Sequence, residues 1–195
     1  MNKMILVLLG FVVFTNNSIA QKKNANFKYF IKKTNEKIII DGKMNESAWQ
    51  GAQVANNFYM VLPMDTSKAK VRTEVRMTYD DHQFYILAIC YKEKGQIDMV
   101  ESFKRDWSFL KNDNFLAFID TYNDQTNGFA FGTNAVGAQC DGIMYEGGSV
   151  DWNWENKWVS EVINEEDKYV WEAAIPFKSA ISQICILGSS RLRII

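Results

Sequence analysis

Aromatic rings set among amides and acids carry whatever chemistry this sequence holds. Trp107 lies in the charged stretch Lys92 to Lys111, and Trp152 and Trp154 lie in Asp151-Trp152-Asn153-Trp154-Glu155-Asn156-Lys157-Trp158. An indole offers a flat apolar face. It can stack on a pyranose ring while neighbouring Asn, Asp and Gln side chains satisfy the hydroxyls. The alternative for each loop tryptophan is to fold back and plug one end of the scaffold. Trp49 and Trp171 stand in apolar surroundings and are expected in the core, and Trp158, at the start of a strand, leans the same way.

The acids allow two further chemistries. Asp113, Asp120, Asp124, Asp141 and Glu146 are the candidates for a two-carboxylate glycosidase, which needs two of them facing each other across a cleft. Asp120 and Asp124, with Asn123 between them, sit in one turn and could help to hold a structural calcium, although the spacing is not that of an EF-hand. Solvated turn acids are the plainer reading of both. His82 is the one histidine and falls in a predicted turn, which excludes a histidine-based metal triad. No GxSxG, HExxH, P-loop or dinucleotide fingerprint is present. Cys90, Cys140 and Cys185 make an odd count without CxxC spacing, which argues against a disulfide framework or a thiolate metal site. Cys90, in an apolar run, reads as a small buried hydrophobe; a Cys90–Cys140 bridge is the alternative.

The elements that must position these residues read as strands. Val71, Thr73, Val75, Met77 and Tyr79 alternate with Lys70, Arg72, Glu74 and Arg76, which predicts a half-buried strand within 68–80, wet on one side. Phe84 to Tyr91 is nearly continuously apolar, as a central strand covered on both faces would be, and Asp80-Asp81-His82-Gln83 turns between the two. Phe115 to Asp120 and Phe129 to Asn134 flank a polar turn ending in Asn127-Gly128, a hairpin signal. Ala138 to Tyr145 predicts another strand, and Trp158 to Ile163 pairs with Tyr169 to Ile175, which Pro176 ends. Lys37 to Ile40 reads as a short strand, and Asn45 as the cap of a helical turn that aims Trp49 inward. Short strands with turn signals between them predict an all-β fold, an antiparallel β-sandwich, over residues 27–178.

Residues 1–20 have the make-up of a secretory signal peptide: Lys3, an apolar run from Met4 to Phe14, and Ser18-Ile19-Ala20 before Gln21. Residues 21–26 then form a polar leader, and the mature protein is expected to be exported. The formal charge of -1 becomes -2 when Lys3 is removed, so the chain has no electrostatic reason to seek nucleic acid.

Four spaced stretches resemble family 9 carbohydrate-binding modules. Ile40-Asp41-Gly42 with Asn45-Glu46 and Trp49 is similar to that family's "IDGxxDExxW", and Tyr79-Asp80-Asp81-His82-Gln83-Phe84-Tyr85 to its "YDDxxLY". Asn112 to Asp120 resembles "DSVEIFID", and Glu172-Ala173-Ala174-Ile175-Pro176-Phe177 resembles "EAAIPW". A closer likeness is to the family-9-like domain that opens large secreted proteins of Bacteroidetes-type bacteria, whose "FxxNPxGxxxD" matches Phe131 to Asp141 and whose "DxNWxxxW" matches Asp151 to Trp158.

The resemblance implies a non-catalytic β-sandwich that binds glycans beside polysaccharide breakdown, often with bound calcium. It puts Trp107 first as the stacking platform, Trp152 and Trp154 next, and Asn134 and Asp141 as polar or calcium-adjacent contacts. It also implies a periplasmic or outer-membrane location, and an outer-membrane β-barrel region as a partner for a purely structural docking domain, the rival reading. There are departures. Leu116 and Gly132 stand where glycan-binding members carry Glu and Arg, the second clamp tryptophan has no counterpart, and Ser179 to Ile195 leaves the pattern as a truncated or frame-shifted product would.

Overall fold

The computed structural model describes residues 27–60 and 67–180. The expected signal peptide, the leader, Cys185 and residues 181–195 lie outside them. Two sheets face each other. The first has five strands in the order β1 (Lys32–Lys33), β2 (Thr73–Tyr79), β3 (Gln83–Tyr91), β9 (Lys168–Pro176) and β8 (Val159–Asn164). The second runs β4 (Asn114–Ile119), β5 (Gly128–Asn134), β6 (Gln139–Tyr145) and β7 (Ser149–Asp151). All neighbours pair antiparallel except β1 with β2. The sandwich read from the sequence is the fold observed, and no helix among the described residues is long and apolar enough to cross a membrane.

Alternation along each strand decides which side chains fill the space between the sheets. Val75, Met77, Phe84, Ile86, Trp171 and Ile175 come from the first sheet; Ala117, Ile119 and Phe131 come from the second. Trp158, which also lies in this core, stands edge-on to Trp171 with ring centroids 6.1 Å apart. Trp49, Trp158 and Trp171 are therefore core residues, as expected.

A third layer covers the outer face of the first sheet, and the sequence reading missed it. Ile38 and Trp49 pack on Tyr85, Leu87 and Ile89 of β3 and on Val170 of β9. Two expectations change as a result. Lys37 to Ile40 is not a strand: it crosses the sheet face and is held by side-chain packing and by the Ile39 amide on Glu46 Oε1 (3.2 Å), with no ladder partner. The polar face of β2 is not wet throughout either. Glu74 is buried, pairing with Arg76 at 3.2 Å and with Arg72. The helical turn α1 (Ser47–Gly51) aims Trp49 inward as predicted, but Glu36 rather than Asn45 serves its free amide, accepting from Ala48 N at 2.9 Å.

Candidate functional site

Two connections converge on the first half of β6, which β7 does not reach. The long β3–β4 loop lays Asp106 N on Gln139 O (3.1 Å), and the tryptophan-rich turn after β7 places Asn156 N on Asp141 Oδ2 (2.6 Å). Asp141 joins them, because its carboxylate also receives the Arg105 guanidinium, whose other nitrogen donates to Gln139 Oε1 at 2.8 Å. Asp106, in a left-handed backbone conformation (φ 57°), is the pivot between Arg105 on one side and Trp107 on the other. Burial raises the Asp106 carboxyl above its usual range. Arg105 opposes the rise, and the charges of Asp141 and Glu155 add to it. Asp106, Asp141, Glu155 and Arg105 thus form one electrostatic group.

The outward face of the second sheet carries the aromatic part of the site. Trp107 packs on Ala138 and Cys140, with Leu116 and Trp152 against the same cluster. Trp107 is only 6% exposed, and its indole donates to the Ala138 carbonyl at 2.7 Å. The expectation of an open Trp107 face is therefore not met: an indole N–H this far inside needs a fixed acceptor, and the β5–β6 turn supplies it. Trp152 keeps part of its surface in solvent. It is seated over Gly142, where an added Cβ would lie 3.0 Å from Trp152 Cε3 and 2.7 Å from Val150 Cγ1. Trp154 is also half-buried, but it leans into the sandwich on Phe129 (5.1 Å between centroids) and Phe131.

Asn134 and Asp141, expected as polar contacts for a ligand, are both fully buried. Asn134 Oδ1 accepts from Ala138 N at 2.9 Å and Val136 N at 3.2 Å, and its Nδ2 donates to Ser102 O at 2.7 Å. It shapes the β5–β6 turn and ties the β3–β4 loop to it. Gly132 and Leu116 explain each other: a Cβ at Gly132 would stand 2.4 Å from Leu116 Cδ2 and 2.3 Å from the Phe115 carbonyl. An apolar contact against the Trp107 cluster thus stands where the resemblance implies a polar pair.

The β4–β5 turn does not fit the calcium expected at Asp120 and Asp124. Asp120 accepts from Gln125 N at 2.9 Å and Asp124 N at 3.3 Å. Asp124 accepts from Thr126 N and Asn127 N, both at 2.8 Å, and from Asn127 Nδ2 at 2.7 Å; these bonds hold its carboxyl well below the usual range. Both carboxylates serve the turn's own amides, and among the described residues no group of three or more His, Cys, Asp or Glu is placed to hold a metal. Of the glycosidase candidates, Asp120 and Asp124 share that turn and serve its amides, Glu146 is exposed in the β6–β7 turn, and the others lie elsewhere. Asp113 accepts from Met99 N (2.8 Å) just before β4, Asp120 follows the other end of that strand, and Asp141 is sealed in. Cys90 and Cys140 are free thiols in separate clusters, so the alternative of a bridge between them is not realised. His82 is exposed in its turn, as expected.

The model of the carbohydrate family 9 binding domain-like family matches residues 40–187. The chain belongs to that family. Its members are non-catalytic carbohydrate-binding modules, which removes the hydrolase reading. A family 9 carbohydrate-binding module from Caldicellulosiruptor kristjanssonii, solved with glucose, shares this fold at a TM-score of 0.54 and 15% identity, over 77% of this chain and 70% of that one. A candidate carbohydrate-binding protein from Bacteroides uniformis ATCC 8492 (TM-score 0.49, 11% identity, covering 65% and 61%) is also similar. So is the Caldicellulosiruptor module solved with cellotriose (TM-score 0.46, 17% identity, covering 75% and 66%). No curated protein matches significantly.

The sequence reading missed what stands out on the β3–β4 loop of this family member. Phe103, Phe109 and Leu110 are 82%, 54% and 74% exposed, while the tryptophan between them is buried. Composition alone ranks Trp above Phe as a platform; only burial reverses the order.

Proposed function

We propose that this domain is a glycan-binding module of an exported protein, working beside polysaccharide breakdown, and that its contact surface is the outward side of β6 around Trp152. The observation that carries this reading is the partly exposed Trp152 ring on the outward face of the second sheet. It rests on Gly142 beside the Trp107 cluster, with the polar Asp151 and Asn153 flanking it in sequence. Trp107, Asn134 and Asp141 act beneath the surface as positioning residues, and Trp154 steadies the turn. The neighbour solved with glucose supports a hexose as ligand. The periplasmic or outer-membrane location and the outer-membrane partner belong to the same proposal. They rest on the signal-peptide pattern and the likeness to large secreted proteins.

One stacked ring buries little of a sugar, so the expected Kd is roughly micromolar to millimolar. Calorimetry with glucose, cellotriose and a glycan array tests it. Trp152→Ala should weaken the best ligand up to about tenfold, in line with the roughly 0.5–1.5 kcal/mol of a lost stacking contact. Absence of binding to every glycan tried would refute the reading.

A further inference from the structure

The two connections that meet on β6 share one of its edges. β7 pairs with that edge as far as Ile143, which stands opposite Asp151. Trp152 comes next, over Gly142, and Asp106 takes the positions before it: its amide donates to Gln139 O at 3.1 Å and its carboxyl faces the Asp141 amide. At roughly 3.3 Å per residue, Trp152 and Asp106 stand about 7 Å apart along this edge, a span that one pyranose and its hydroxyls cover. They also share a base. Trp107, the neighbour of Asp106, packs with Trp152 and Cys140 in one cluster, and the Asp106 charge reaches the Cys140 thiol. The left-handed backbone at Asp106 (φ 57°) sends Arg105 and Trp107 to inward partners, and Asp106 itself is exposed.

We infer that Asp106 is the polar contact of the glycan site: its carboxylate accepts hydroxyls of a neutral sugar ring stacked on Trp152 and turns away glycans that carry uronates. This rests on Trp152 being the stacking platform. A carboxylate offers about four lone-pair sites and no donor, so sites remain for hydroxyls beside the one turned to the Asp141 amide. Such charge-assisted bonds are roughly twice as strong as neutral ones. The same charge repels an anionic ligand, which is how a site gains selectivity by repulsion. Arg105 does not reverse this, because its guanidinium is committed to Asp141 and Gln139. Over residues 104–107, 139–142 and 151–157, Lys104, Arg105 and Lys157 stand against Asp106, Asp141, Asp151 and Glu155, so the surroundings carry no surplus of cations for a uronate.

The test is calorimetry of the full chain with cellotriose, xylotriose, mannotriose and chitotriose as neutral ligands and trigalacturonate as the acidic one. It is repeated on Asp106→Asn, Asp106→Gly and Trp152→Ala. Asn and Gly both accept the left-handed φ, so these two variants should melt close to the parent. The best neutral ligand should bind Asp106→Asn about tenfold more weakly, and Asp106→Gly at least as weakly. Trigalacturonate should be the weaker ligand of the parent, and Asp106→Asn should narrow that gap about tenfold. Unchanged neutral affinity in both Asp106 variants overturns the inference, as does a parent that takes trigalacturonate as tightly as its best neutral ligand. If Trp152→Ala still weakens binding in either case, the platform stands without Asp106. Absence of binding to every glycan overturns both.

Discussion

The indole of Trp49 donates to Glu172 Oε1 at 2.9 Å, across 123 positions of sequence. The other carboxylate oxygen accepts the amides of Asp41 and Gly42, both at 2.9 Å. One buried carboxylate thus fastens the outer layer to the middle of β9. It gives a physical reason for the Ile40-Asp41-Gly42, Trp49 and Glu172 pattern: three donors need one acceptor with two oxygens.

Burial raises the Glu172 carboxyl above its ordinary value of 4.5, against the three hydrogen bonds, with Glu46 adding to the rise. A raised folded-state value means the contribution to stability is present below the ordinary value and is lost as pH rises through the raised one. Glu172→Gln should flatten that slope. It should also lower stability near pH 7 by about 2 kcal/mol, because an amide offers one acceptor where three donors converge. Denaturant midpoints across pH 4 to 8 check both.

Arg105 and Asp141 should behave unequally when removed. Arg105→Ala leaves a fully buried carboxylate without its cation, and is expected to cost about 3 kcal/mol or more. Asp141→Asn leaves a partly exposed guanidinium that can turn to water, and should cost less, about 1–2 kcal/mol. Both should loosen the tryptophan turn through Asn156. Urea midpoints and tryptophan emission give the two readouts; equal losses would argue against the asymmetry.

Gly142 and Gly132 separate seating from scaffold. A methyl at Gly142 pushes on Val150 and Trp152, so Gly142→Ala should weaken glycan binding at least as strongly as it lowers the melting temperature. A methyl at Gly132 meets the Phe115 carbonyl in the β4–β5 ladder, so Gly132→Ala should cost about 1–3 kcal/mol of stability. Paired calorimetry and thermal melts distinguish them.

The thiols Cys90 and Cys140 are each pushed up to about 12, first by burial; the charges of Asp106 and Asp141 add at Cys140. Neither should react with a disulfide reagent at pH 8 in the folded protein, and both should react in denaturant. Mass analysis of labelled peptides reads this directly. Fast native labelling of Cys140 would mean that Trp107 does not seal it.

Much of the scaffold was legible because strand periodicity is local. Phe84 to Tyr91 reads as a covered strand from its own residues, and β3 is buried along its interior. Asn127-Gly128 marks a hairpin, and β4 and β5 pair around it. Lys37 to Ile40 misled because a β-branched run looks the same whether it joins a ladder or lies across a sheet. Glu74 misled because an outer layer cannot be seen from one strand.

The sequence by itself determined the sandwich, its family and the tryptophans that belong to the core, since alternation, turn chemistry and spaced motifs are written in neighbouring residues. Which polar and aromatic residues face solvent was decided only by the tertiary structure. Trp107, Asn134 and Asp141 carry the same side chains whether they meet a ligand or brace a loop. The choice depends on Ala138, Ser102 and Arg105 being brought to them across the fold, so that each buried donor or acceptor finds its partner inside.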